Sequence, residues 1–162
     1  MKILKFLFIG FIALSLTACG GDDSSKDNKS GGYVPPAAKA KTAAKEAADN
    51  AMDNIGVGPI TEAITLGKTI DEAMVAMGKD VYEAKCTACH KVDKKFIGPA
   101  PKGIFERRNP TWVMNMILDP EKMVKEDPIA KALLMEFNGS PMANQSLTEE
   151  EARAVVEYFR TL

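Results

Sequence analysis

Histidine occurs only once in the 162 residues, at His90, and cysteine only three times, at Cys19, Cys86 and Cys89. That inventory excludes any centre built on two imidazoles. A zinc site takes four ligands, and Cys86, Cys89 and His90 leave the fourth place without a Cys or His once Cys19 is set aside. Excess charge is missing too. Lys and Arg number 21 against 22 Asp and Glu, for a formal net charge of −1, so nothing suggests a surface for polyanions, and nucleic acid is excluded as a partner. No long run alternates apolar and polar residues as a strand would, and no segment repeats. The one long apolar run lies at the N terminus. At about 16 residues it is short for a membrane-spanning helix, which needs roughly 20.

That run, Ile3 to Leu16 behind Lys2 and Lys5, reads as a secretory signal. It closes on Leu16-Thr17-Ala18-Cys19, which resembles the lipobox of bacterial lipoproteins. In such proteins small residues fit the peptidase, cleavage falls before the cysteine, and only a thiol accepts the diacylglycerol. The resemblance implies a signal peptide over 1–18 and lipidation of Cys19. The mature chain would be an extracytoplasmic lipoprotein facing the periplasm, with inner or outer membrane left open. Several acyl chains on one residue anchor firmly where a single chain holds marginally. The competing reading is an ordinary cleaved signal with Cys19 incidental.

From Gly20 to Pro36 the chain is Gly, Asp, Ser, Lys and Asn with almost no apolar side chain, and from Ala37 to Met52 it turns to Ala, Lys and Glu. The first stretch cannot bury enough surface to fold; the second is a loose helix or more spacer. We read 19–60 as a lipid-anchored flexible tether. Its roughly 40 residues span about 35 Å root-mean-square as a coil. The folded domain is then 61–162. Within it, Ile60 to Leu66 reads as a short strand or extended arm. Thr69 or Asp71 caps a helix carrying Ala73, Met74 and Met77. Lys79 to His90 reads as a further helix with Val81, Tyr82, Cys86 and Cys89 near one face. Asn109-Pro110 and Asp127-Pro128 are N-caps followed by proline at the first helical position. The first precedes Trp112, Val113, Met116 and Ile117, and the second precedes Ile129, Ala130, Leu133, Leu134 and Phe137, all at helical spacing. Thr148 with Glu151 forms a capping box for a last helix that presents Ala152, Val155, Val156 and Phe159. The predicted class is all-α. A core of roughly 100 residues is marginal unless something fills its centre.

Cys86-Thr87-Ala88-Cys89-His90 supplies a candidate for that filling, because Cys-x-x-Cys-His is the attachment signature of a c-type haem. Positions three and four apart on a helix share a face, so two sulfurs and an imidazole approach one flat object together. The thiols form thioethers to the two vinyl groups, and His90 becomes the proximal iron ligand. One covalently bound haem c is the expected cofactor. A thioredoxin-type redox pair would need a βαβ context that is missing. Zinc lacks a fourth ligand, and an i, i+3 disulfide on a helix is strained and leaves His90 unexplained.

From about Gly78 to Leu162 the chain resembles a class I c-type cytochrome. The landmarks are Gly78, Tyr82, the haem motif, Gly98-Pro99, Ser140-Pro141-Met142, and Tyr158 on the last helix. The resemblance implies a class I cytochrome c fold, small helices wrapped around one haem. It also implies a close crossing of first and last helices through Gly78, Tyr82 and Tyr158, and a Pro99 carbonyl that accepts from His90 and fixes its tautomer. A second histidine ligand is excluded by composition, which leaves methionine as the common sixth ligand. The resemblance places it at Met142, in the loop Asn138 to Asn144, with Met135 in reserve. The other methionines read as core packing.

Thioether ligation raises the potential and suits a carrier, so the expected activity is single-electron transfer, with no catalytic residues. Expected partners are a donor complex or membrane quinol oxidoreductase and a terminal reductase or oxidase. Ile104 to Asn144 further resembles lipoprotein cytochromes that accompany nitrous-oxide reductase, through Arg107-Arg108-Asn109-Pro110-Thr111-Trp112, Met114 to Leu118 and Asn138 to Met142. Lys85, Lys91, Lys94, Lys95 and Lys102 cluster around the motif. They form either a solvated face beside Asp80, Glu83 and Asp93, or a basic rim that steers an acidic partner. The alternative function is a haem enzyme or gas sensor with an open sixth iron site. It would need distal acid–base groups, and no second histidine exists to serve. A structural lipoprotein without haem is opposed only by the attachment motif.

Overall fold

A computed structural model of the chain describes residues 50–162. The expected signal over 1–18, Cys19 and the expected tether up to residue 49 lie outside the described residues. Within them the elements are helical, with no strand, which meets the all-α expectation.

Helix α1 runs Glu72–Lys85 as one continuous element, where the sequence suggested one helix begun at Thr69 or Asp71 and another over Lys79 to His90. Asp71 is the cap, its carboxylate accepting from the N–H groups of Ala73 and Met74. Gly78 sits mid-helix, where glycine is unfavourable by about 1 kcal/mol relative to alanine. A Cβ there would overlap the Ala154 carbonyl, so the crossing demands bare backbone. The helix also ends earlier than expected. Cys86 is its C-cap, and Cys86–Cys89 form a turn rather than part of a helical face. The bonds Cys86 N–H to Tyr82 O (2.9 Å) and His90 N–H to Cys86 O (2.8 Å) carry the helical winding through the turn.

After a 3₁₀ turn at Ile104–Glu106, three short helices follow at one-residue corners: α2 Pro110–Leu118, α3 Pro120–Glu126 and α4 Pro128–Glu136. Each begins with a capping side chain and then proline, whose fixed φ suits the first turn and whose missing N–H is no loss there. Asn109 accepts from Thr111 N–H, Asp119 from Lys122 N–H and Asp127 from Ala130 N–H. Sequence reading identified the first and third; Asp119-Pro120 escaped it because α3 has only seven residues and a weak apolar stripe. Helix α5, Glu149–Phe159, carries the expected Thr148–Glu151 capping box.

The core joins Trp112, Val113 and Ile117 of α2, Met123 of α3, Ile129 and Ala130 of α4, and Ala152, Val155 and Val156 of α5. Helix α1 crosses α5 at Gly78, where Tyr82 packs on Tyr158 (ring centroids 5.6 Å) and edge-on against Phe159 (5.7 Å). Glu157 of α5 is buried, 1 % exposed. Burial alone would raise its carboxyl, but Arg153, the Asp71 N–H and Arg160 outweigh that and hold it below the ordinary carboxylate range. Arg160 also donates to the carbonyls of Gly67 and Thr69, fastening the approach to α1.

Residues 50–60, expected to belong to the tether, pack against the helices instead, so the ordered domain extends at least to residue 50. Ala51 is buried. The segment from 50 to 66 forms no strand; it is an extended arm whose backbone partners are side chains. Buried Asn115 donates to the carbonyls of Ile55 (3.0 Å) and Ile60 (2.9 Å) and accepts from Ile60 N–H (3.0 Å). Thr111 Oγ1 accepts from Ile64 N–H (2.8 Å), and Met123 Sδ from Val57 N–H (3.2 Å). A backbone so satisfied has no need of a neighbouring strand.

Candidate haem site

The turn after α1, the loop to Pro101, the inner faces of α2 and α4, and the segment before α5 enclose one cleft. Its space, open mouth included, is about 1450 Å³. Cys86, Cys89, His90, Pro99 and Met142 all line it, so side chains separated by more than 50 positions in sequence meet in one place. Apolar walls come from Val113, Ile117, Leu133, Leu134, Leu147 and Phe159.

His90 is fixed on several sides. Its Nδ1 lies 2.8 Å from the Pro99 carbonyl. A carbonyl only accepts, so Nδ1 carries the proton and the lone pair is left on Nε2. A Cβ at Gly98 would overlap the imidazole, which explains a glycine beside that proline: the loop must lie flat on the ring. Tyr82 Oη donates to the His90 carbonyl (3.2 Å), and Gly98 N–H to the Cys89 carbonyl (2.9 Å). Burial, then the neighbouring Cys86 and Tyr158 groups, push the Tyr82 hydroxyl up to about 12, so it remains a donor at any ordinary pH.

Before haem is attached Cys86 and Cys89 are thiols, half-buried and exposed respectively. Burial and then the Cys89 charge push Cys86 up to about 11, which opposes the reading of this pair as a nucleophilic redox centre, since the thiolate is the reactive form. Among the described residues no group of three or more His, Cys, Asp or Glu side chains is placed to hold a metal ion.

Met142 lies in the loop between α4 and α5, half-buried and at the cleft. The loop opens with left-handed residues Asn138 (φ 57°) and Gly139 (φ 72°) and closes near a third, Ser146 (φ 53°). Met135, the reserve, is 75 % exposed and is not among the lining residues. Met116 of α2, read from sequence as core, lines the cleft as well; helical spacing alone does not separate a cleft-facing residue from a core-facing one.

Of the clustered lysines, Lys85 lines the cleft. Lys91 donates to Thr87 O and stands over the Phe96 ring (5.1 Å). Lys95 pairs with Glu136 (3.4 Å) and covers the Phe137 ring (4.1 Å). Lys94 and Lys102 are exposed. Sequence reading passed over Arg108 as a site residue. It lines the cleft and lies over Trp112 (5.5 Å).

The residues present suit the group that the motif implies. A mostly apolar slot, two thiols and an imidazole with a committed Nδ1 and a free Nε2 are what a covalently held, His-ligated haem requires. Comparisons with known proteins agree. Residues 75–162 match the cytochrome c family. Cytochrome c-551 of Ectopseudomonas mendocina is 31 % identical over 88 residues, which are 54 % of this chain and 99 % of that protein. The solved cytochrome c from Rhodothermus marinus is 38 % identical with a TM-score of 0.62, over 70 % of this chain and 95 % of its own. An engineered form of it, solved with a carbene intermediate, gives 37 % identity and a TM-score of 0.60 over the same shares. By cleft, motif and relatives alike, the chain belongs to the cytochrome c family, an all-α electron-transfer protein that carries covalently bound haem c.

Proposed function

We propose that this protein is a one-electron carrier working outside the cytoplasmic membrane, in which Cys86 and Cys89 hold the haem by thioethers while His90 and Met142 ligate its iron. The observation that carries the reading is the convergence on one cleft of both thiols, an imidazole with Nδ1 committed to Pro99, and a loop methionine. When bound, the haem supplies a ferric/ferrous couple, and a thioether ligand favours the ferrous side.

The chain's own contributions follow from placement. The Pro99 carbonyl keeps the proton on Nδ1 and so reserves Nε2 for the metal. Apolar walls exclude water, which keeps solvent rearrangement small when charge changes. Near the mouth, half-exposed Phe96 and Ile97 stand beside Lys91, Lys94 and Lys95. A small apolar patch ringed by positive charge suits brief docking of an acidic redox partner. Nitrous-oxide reductase is the terminal acceptor we favour, on the resemblance over Ile104 to Asn144, and Cys19 is the lipid-bearing residue that keeps the carrier at the membrane facing the periplasm. An open-iron enzyme or sensor finds less support, because among the described residues no carboxylate lines the cleft.

The test is the visible spectrum after maturation in a host that attaches c-type haem. A sharp reduced α-band with the weak far-red band of sulfur-ligated ferric iron is expected. Met142→Ala should abolish the far-red band and retain the haem; survival of the band would transfer the ligand to Met116. A high-spin spectrum that shifts readily with carbon monoxide or cyanide would end the carrier reading. Cys19→Ala should abolish incorporation of labelled fatty acid into the protein, and labelling that persists in the variant would remove Cys19 lipidation from the proposal.

A further inference from the structure

The arm over residues 50–66 touches every helix of the α2–α3–α4 staircase through a polar or sulfur group. Asn109, the cap of α2, donates to the Met52 carbonyl (2.8 Å). Asn115 of α2 clamps Ile55 and Ile60, Met123 of α3 accepts from Val57, and Asp127, the cap of α4, accepts from Asn54. The last contact leads into the cleft. Asp127 is buried, at 3 % exposure, as is Trp112, also at 3 %. The carboxylate takes three donors: Asn54 Nδ2 at 2.7 Å on Oδ2, with Trp112 Nε1 at 3.0 Å and Ala130 N–H at 2.8 Å on Oδ1. Asn54 is itself oriented, since its Oδ1 accepts from Gly56 N–H (2.7 Å). Trp112 lines the cleft. One buried carboxylate thus ties the arm, the start of α4 and a wall of the haem site into a single unit.

We propose that Asn54 is a positioning residue of the electron-transfer site: through Asp127 it sets the seat of Trp112, and so makes the arm a working part of the haem cleft. The physical reason is the cost of the alternative. A buried carboxylate that loses a donor must find another or draw in water, because hydrogen bonds to charged groups are stronger than those between neutral groups. The nearest way to recover is for Asp127 to rotate, which would pull on the indole and on the first turn of α4 together. The arm lies outside the residues that match the family model, 75–162.

The single tryptophan of the chain gives one indole N–H resonance, which reports on the relay directly. The experiment uses the haem-loaded, full-length protein and compares Asn54→Asp with the double variant Asn54→Asp/Asp127→Asn. In the single variant two carboxylates face each other. In the double variant the polarity of the pair is reversed: the new amide at position 127 donates to the new carboxylate at position 54, and its oxygen still accepts from Trp112 and Ala130. We expect the single variant to accelerate exchange of the indole proton about tenfold, the factor for the loss of some 1.4 kcal/mol, to speed cyanide binding to the ferric protein, and to move the reduction potential. The double variant should return all three toward the parent. Indole exchange unchanged in the single variant would overturn the proposal. So would a double variant that stays as perturbed as the single one. Amide exchange raised equally in α1 and α5 would show general loosening and would also overturn it. Should the single variant fail to fold, Asn54→Ala removes the donor without adding charge and is read by the same three measurements.

Discussion

His90 and Met142 line the same cleft but are held by different means. His90 has its ring nitrogen on Pro99, its backbone N–H on Cys86, its carbonyl under the Tyr82 hydroxyl, and Gly98 flat against its face. Met142 stands in a loop whose neighbours Pro141, Ala143 and Asn144 are exposed. The loop is attached by Asn144 Nδ2 to the Leu118 carbonyl (3.1 Å) and by Gly139 N–H to the Leu134 carbonyl (2.8 Å). Between them runs Lys95, from the loop after His90 to the end of α4. The difference teaches that one side of the site is pre-organised by packing and the other is shaped by a few surface contacts, so equal insults should have unequal effects.

The largest effect should come from Gly98→Ala, which drives a methyl group into the imidazole. Overpacking of this kind costs about 3 kcal/mol at its severe end, and the ring has no free direction in which to move. We expect loss of stability in urea together with a weakened low-spin spectrum; an unchanged spectrum would mean that the His90 side is less rigid than its contacts suggest. Next in size is Glu157→Gln, which leaves Arg153 and Arg160 without their carboxylate partner in the frame behind α1. The expected loss is about 2 kcal/mol near neutral pH. Because the folded-state pKa of Glu157 is depressed, its contribution is present above the unfolded pKa and is lost as pH falls through the folded value. Parent and variant should therefore converge in acid, and parallel curves down to low pH would contradict the assignment.

On the other side of the cleft the same glycine-to-alanine change should do far less. Gly139 has φ 72° and open space around it, so Gly139→Ala carries only the left-handed backbone penalty of roughly 1 kcal/mol. It should leave the His90 side untouched while raising the rate at which imidazole displaces the sixth ligand. Smallest of all is Lys95→Gln. Its ionic partner Glu136 lies at the surface, where such ion pairs contribute at most about 1 kcal/mol. Stability should barely change, but cyanide binding should become less dependent on salt, and an unaltered salt dependence would remove Lys95 as a fastener of the loop.

Local chemistry made much of this legible in the sequence. Cys86, Cys89 and His90 announce themselves by spacing, and Asn109, Asp127 and Thr148 by cap chemistry, because both depend on residues close in the chain. Met142 and Pro99 were reached through family resemblance, not periodicity. What stayed hidden depends on partners distant in sequence. Gly78 was placed in the crossing of first and last helices by family resemblance, but the exact partner, the Ala154 carbonyl, and the continuity of Glu72–Lys85 as one helix could not be read from neighbouring residues. Residues 50–60 of the arm were read as tether because they show no apolar stripe of helical or strand period, while Ile60 to Leu66 was expected as a short strand or extended arm. Its binding runs through backbone groups instead, received by Thr111 and Asn115. Those two polar residues sit four apart on one face of an otherwise apolar helix, and that spacing was the available signal.

The crossing at Gly78 also has a consequence in time. It joins α1 to α5, so the cleft cannot close until α5 has been made. Contacts between such distant positions form late and slowly. Until α5 arrives, the turn bearing Cys86, Cys89 and His90 has no lid, and both thiols are within reach of whatever attaches the haem. The eleven-residue helix α5, far along the chain from the thiols, is thus the part whose arrival decides when the turn behind them gains its backing.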